Sequence, residues 1–135
     1  MRFIQRLLLL VSGLCASLGI EAASPTATAV FNIEDPVTHE HKPTLAARLD
    51  QYVCISIRAE LVTVGEHSLQ LTIYDGVGNE IHRSTNRKIE SSPSLNHTSC
   101  YGFDEDNDAV GTWWYVAELD GQPLVSASIE IRPAR

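Results

Sequence analysis

Alternation of apolar and polar residues with a period of two is what most constrains this chain, and it is sharpest near the C-terminus. Trp113, Tyr115, Ala117 and Leu119 fall on one face of an extended segment, and Val125, Ala127, Ile129 and Ile131 on one face of the next. Between them Asp120-Gly121 supplies two residues that tolerate the left-handed backbone of a tight hairpin turn. One register then buries both apolar sets, which makes Trp113 a core residue and leaves Trp114 on the opposite face with Thr112 and Val116.

The same period runs through most of the chain from Ser24. Ala27, Ala29, Phe31 and Ile33 alternate with Thr26, Thr28 and Asn32; Val53, Ile55, Ile57 and Ala59 alternate with Tyr52, Cys54, Ser56, Arg58 and Glu60; and Leu69, Leu71 and Ile73 alternate with Ser68, Gln70 and Thr72. Each reads as a strand with one buried face. Gly65-Glu66 and Asp75-Gly76-Val77-Gly78-Asn79 read as turns. Glu80 to Ile89 reads as a polar edge strand, Ser91 to Leu95 as a loop, and Asn96 to Phe103 as a short strand before the acidic loop Asp104 to Asp108. The stretch Glu34 to Asp50, with Pro36 and Pro43, reads as an excursion with one helical turn near Thr44 to Leu49. About seven short strands with little helix pattern predict an all-β, antiparallel β-sandwich.

The first 22 residues predict where the protein works. Arg2 and Arg6 precede the apolar run Leu7 to Val11, and small residues follow to Ala22-Ala23-Ser24, the layout of a secretory signal peptide too short to span a bilayer. Residues 1–22 are therefore expected to be removed, with cleavage after Ala22 or Ala23, leaving 23–135 as one exported, periplasmic or secreted domain. Leu14 stands where lipobox processing at Cys15 needs a small residue. Loss of Arg2, Arg6 and Glu21 takes the formal charge from -7 to -8. With Lys42 and Lys88 as its only lysines, so acidic a chain is a poor partner for nucleic acid or an anionic membrane surface. Cys54 and Cys100 remain, and an even pair in an oxidising compartment reads as one disulfide.

The closing pattern Gly111-Thr112-Trp113-x-Tyr115-x-Ala117, then Asp120-Gly121-Gln122-Pro123-Leu124 and an alternating last strand, resembles the final hairpin of bacterial immunoglobulin-like domains of exported proteins, many of unknown function. Gly65-x-His67-x-Leu69-x-Leu71-x-Ile73 followed by Gly78-Asn79-Glu80 is similar to the middle of such domains. The resemblance implies an immunoglobulin-like architecture and transfers no catalytic residue. In that strand order Cys54 and Cys100 lie on the second and fifth strands, neighbours in one sheet. Both are in phase with the polar face, so the bridge staples adjacent strands on the outside instead of crossing the core as in antibody domains.

Three constellations carry potential chemistry, each beside a plainer reading. His39-Glu40-His41 places both imidazoles on one side if extended, and His67, His82 or His97 would complete a metal site; a solvated loop is the plainer reading. Asp104-Glu105-Asp106-Asn107-Asp108 clusters oxygen ligands but has Ala109 where an EF-hand needs glycine and Tyr115 where it needs the bidentate glutamate; an inter-strand calcium site of another kind stays open, with a solvated turn as the plainer reading. Trp114 is either packed under the segment Glu34 to Asp50, which is favoured, or exposed as an anchor for a partner. The chain contains no Gly-x-Ser-x-Gly elbow, no His-Glu-x-x-His and no phosphate-cradling glycine loop, and no cofactor is expected. The expectation is a non-catalytic binding or accessory domain acting on a protein or other envelope macromolecule, with a periplasmic metal-binding protein using His39 and His41 as the alternative.

Overall fold

A computed structural model describes residues 24–135, so the expected signal peptide and Cys15 lie outside the described residues. Within them the alternating segments form nine strands and no helix: β1 (Thr26–Glu34), β2 (His41–Pro43), β3 (Ala46–Arg48), β4 (Tyr52–Glu60), β5 (Gly65–Tyr74), β6 (Glu80–Glu90), β7 (Ser94–Gly102), β8 (Gly111–Leu119) and β9 (Gln122–Arg132). They make a four-stranded antiparallel sheet, β2-β1-β4-β7, and a five-stranded sheet, β3-β9-β8-β5-β6. Only β3 and β9 run parallel.

Two departures from the sequence reading share one cause. The excursion from Glu34 to Asp50 contributes the two short strands β2 and β3, raising the count from seven to nine, and no helical turn forms at Thr44 to Leu49. Thr44 still donates its backbone N–H to the Phe31 carbonyl on β1, whereas one residue on, the Leu45 carbonyl accepts from Glu130 on β9. The chain therefore changes sheets at Thr44, whose hydroxyl oxygen also accepts the Ala46 backbone N–H at 3.1 Å. Pairing with β9 satisfies the backbone groups that a lone helical turn would leave open, which decides the conformation of so short a segment. The crossing also makes the five-stranded sheet mixed instead of wholly antiparallel.

The remaining strands follow the pattern closely. Gly65-Glu66 opens β5 instead of forming the turn, which falls just before it, where Leu61 takes a positive φ of 61°. Leu95, placed in a loop by its Ser/Pro neighbours, is fully buried in β7 opposite Ala59. The polar strand β6 lies at the sheet edge as its composition requires.

The inner faces of the two sheets close around one core. Val53, Ile55 and Ile57 from one sheet meet Leu69, Leu71, Ile73, Ile129 and Ile131 from the other. Phe31 and Tyr115 contact edge to face across the layers, 5.0 Å between ring centroids. Trp113 has no exposed surface; Phe103 packs edge-on against it at 4.9 Å, and its indole N–H donates to the Ala109 carbonyl at 2.8 Å, so the ring is buried with its one polar group satisfied.

The turns are built from side chains. Asp120 and Gly121 both have positive φ, 52° and 80°, which is the hairpin turn read from the sequence. In the Asp75–Asn79 turn the buried Asp75 carboxylate accepts the N–H groups of Val77 and Asn79. Gly76 in that turn lies so close to the next hairpin that a Cβ there would sit 2.1 Å from the Val110 carbonyl oxygen.

Candidate functional site

The outer face of the five-stranded sheet carries Trp114. Strand alternation that sends Trp113 inward turns Trp114 outward, where it is 48% exposed. It stands opposite Tyr74 on β5 and Ser128 on β9, and the next row across the sheet holds Thr72, Val116 and Ser126. The segment Glu34 to Asp50 does not cover it, because that segment pairs at the sheet edges as β2 and β3. Charge lies at the margins of this patch, in the Arg83–Glu80 ion pair and in Glu130, which accepts the Thr112 hydroxyl at 3.0 Å. The half-exposed indole thus stands among a tyrosine, a valine and small hydroxyl residues, with charge at the rim.

The outer face of the four-stranded sheet carries the disulfide. Cys54 and Cys100 are directly opposite on β4 and β7, with Cα atoms 3.9 Å apart, and their sulfurs are bonded. Cys54 is in phase with Tyr52 and Ser56, on the side away from the core, yet it has no exposed surface. Beside it stands the β1–β2 hairpin: a carboxylate oxygen of Glu34, an imidazole nitrogen of His41 and the Cys54 sulfur all lie within 4.8 Å of one another. Among the described residues this is the one group of three such ligand atoms.

His39 and His41 thus have different surroundings. His41 stands on β2 directly across from Glu34 on β1. His39, in the preceding turn with a φ of 59°, places Nδ1 3.1 Å from Glu34 Oε1. Both histidines converge on Glu34, and none of His67, His82 or His97 joins them. His82 faces Tyr101, 6.2 Å between ring centroids. His97 is held below the ordinary imidazole pKa by burial and by the nearby Lys88 charge.

His67 lies at the opposite end of β5 from Tyr74, in a role that the sequence reading missed. Its Nδ1 is 2.5 Å from Asp120 Oδ2 and its Nε2 is 2.5 Å from the Thr63 carbonyl. Carboxylate and carbonyl are both acceptors, so this geometry is matched when both ring nitrogens donate, and it favours the charged ring. The Asp120 hydrogen bond, then the Thr63 carbonyl, raises the His67 pKa; Asp120 is lowered first by the Ser68 N–H and then by His67. A ring with both nitrogens donating has no lone pair for a metal, so His67 serves as a pin between the last hairpin turn and β5. The available signal was Asp120 itself, whose side chain, besides tolerating the turn, can bond to a neighbouring strand.

The acidic loop satisfies itself. Asp104 accepts the Asp106 N–H and the Asn107 side-chain amide, and Asp108 accepts the Asp104 N–H at 2.7 Å. The Asn107 amide, then the Asp106 N–H, holds the Asp104 carboxyl below its usual range. Asp104 and Asp108 act here as turn acceptors. Neither a search of protein-family models nor one of the curated proteins finds a match for this chain.

Proposed function

We propose that this chain is an exported, non-catalytic immunoglobulin-like domain that binds a protein or other macromolecule of the cell envelope or extracellular space through the outer face of its five-stranded sheet. The observation that carries the reading is Trp114, a large ring left half-exposed at the middle of a sheet face beside Tyr74 and Val116. Aromatic rings in such positions are preferred anchors of binding surfaces.

The immunoglobulin-like reading draws support from strand order. β1, β4 and β7 correspond to strands A, B and E of that fold, and β5, β6, β8 and β9 to C, C′, F and G. The disulfide then joins B to E within one sheet. Export is supported by the cysteine pairing, which suits an oxidising compartment. No helix among the described residues is long and apolar enough to cross a membrane.

The test compares the native protein with Trp114→Ala as bait against the envelope fraction of the source cells. The variant is expected to keep its denaturation midpoint, within about 1 kcal/mol of stability, and to lose the captured partner. Equal capture by both would remove Trp114 and this face from the reading.

A further inference from the structure

We infer that reduction of the Cys54–Cys100 disulfide turns the outer face of the four-stranded sheet into a binding site for a thiophilic divalent cation of the zinc class. The site lies on the opposite sheet from Trp114 and is independent of the binding role proposed for that face. Three of its ligands, Glu34, His41 and Cys54, are already grouped, and register places Cys100 beside the third. Glu34 and His41 are a cross-strand pair on β1 and β2, Cys54 and Cys100 a cross-strand pair on β4 and β7, and β1 lies beside β4 with Asn32 opposite Cys54. The Glu34 oxygen, His41 nitrogen and Cys54 sulfur lie within 4.8 Å of one another, while ligands around a tetrahedral zinc stand about 3.3–3.8 Å apart. Side-chain rotation on a fixed sheet covers that difference.

Disulfide formation is what blocks the site. A bonded sulfur pair is a poor donor, and the two sulfurs are held too close to serve as separate ligands. Once the bond is broken they move to non-bonded contact, and the set becomes two thiolates, one imidazole and one carboxylate. Soft thiolates with imidazole select zinc and similar ions over calcium or magnesium. His39 then has a part of its own: its Nδ1 sits 3.1 Å from Glu34 Oε1, so it helps hold the carboxylate ligand in place.

The reductant is a dithiol. One of its thiolates attacks the sulfur of Cys100, which is partly exposed whereas Cys54 is not, and Cys54 leaves as a thiolate beside His41. The second thiol of the reductant attacks the mixed disulfide, frees Cys100 and leaves as the oxidised cyclic disulfide. Two electrons and two protons pass to the cysteines, and metal binding releases both protons to solvent.

The test titrates the full chain with cobalt(II), as oxidised protein and after reduction by a phosphine supplying the same two electrons. The reduced chain is expected to bind one cobalt with thiolate-to-metal charge-transfer absorption and the intense visible bands of a tetrahedral site, and the oxidised chain to show neither. Zinc should displace the cobalt and raise the denaturation midpoint of the reduced chain only. His41→Ala and Glu34→Gln should each weaken binding at least about tenfold, the loss that follows even from removing a ligand's supporting partner. Absence of the thiolate band after reduction overturns the inference, and so does an affinity in both variants equal to that of the native reduced chain, which would leave the cysteines acting alone. Loss of the folded near-ultraviolet circular dichroism in the cobalt-loaded reduced chain also overturns it, because the site depends on the register of β1, β2, β4 and β7.

Discussion

Trp113 and Trp114 are adjacent in sequence and opposite in consequence. The first is fully buried between the sheets, against Phe103 and Tyr101, with its N–H bonded to Ala109; the second is half in solvent. Truncating a buried aromatic to alanine removes its transfer free energy and leaves a cavity, together costing about 3–5 kcal/mol. That is a large share of the stability of a domain this size. Trp113→Ala is therefore expected to unfold or nearly unfold the protein at room temperature, while Trp114→Ala shifts the urea midpoint only slightly. Midpoints in the reverse order would show that the phase of β8 is wrong.

At the scale of elements, the β8–β9 turn is fastened to β5 through one aspartate. Asp120 accepts the Ser68 N–H at 2.8 Å, donates its own N–H to the Ser68 carbonyl and bonds His67. Glu90, on β6, also favours the His67 charge, and Lys88 is the residue opposite His67 in the β5–β6 register. Because the folded-state pKa of His67 is raised, its contribution to stability is complete below the ordinary value of about 6.5 and disappears as pH rises through the raised value. The depressed pKa of Asp120 acts in the other direction: its contribution is complete above about pH 4 and disappears as pH falls through the depressed value. The pin is thus strongest between about pH 4 and 6.5. Asp120→Asn keeps a residue that tolerates positive φ and an oxygen for Ser68 but removes the charge. Near pH 5.5 it should cost on the order of 1 kcal/mol, a modest figure because the carboxylate is half-exposed and screened. The difference between variant and native should narrow as pH rises through the raised His67 value, leaving the part that comes from the Ser68 N–H bond to the carboxylate. Parallel pH profiles of the urea midpoint would show that the His67 charge contributes nothing.

Residues 24–135 form two sheets held by one core, and the disulfide is a staple on its outside. It joins residues separated by 46 positions, and the segment between them contains β5 and β6, which belong to the other sheet. Closing a loop of that length restricts the unfolded chain by about 4 kcal/mol on the loop-entropy account. No core contact depends on it, since Cys54 faces away from the core cluster. In metal-free buffer, reduction should lower the unfolding free energy by up to that amount while leaving the strand circular dichroism of the native state unchanged. A loss of strand signal on reduction without denaturant would show that the bridge is needed for the fold itself and does not merely restrict the unfolded chain.

The period-two pattern was enough by itself to place β1, β4, β5, β8 and β9, the Asp120-Gly121 turn and the inward phase of Trp113, because strand alternation and turn dihedrals are local properties of the chain. It was also enough to pair Cys54 with Cys100, since only two cysteines follow the expected leader. It did not reveal β2 and β3, whose three-residue lengths carry no periodicity and whose conformation comes from hydrogen bonds to β1 and β9, residues distant in sequence. Nor did it reveal that His41 would stand with Glu34 beside Cys54, or that His67 would spend both ring nitrogens on Asp120 and Thr63. Each of those neighbourhoods is made by register across strands. Register is set by how the two sheets bury their apolar faces together, and only the tertiary structure decides that.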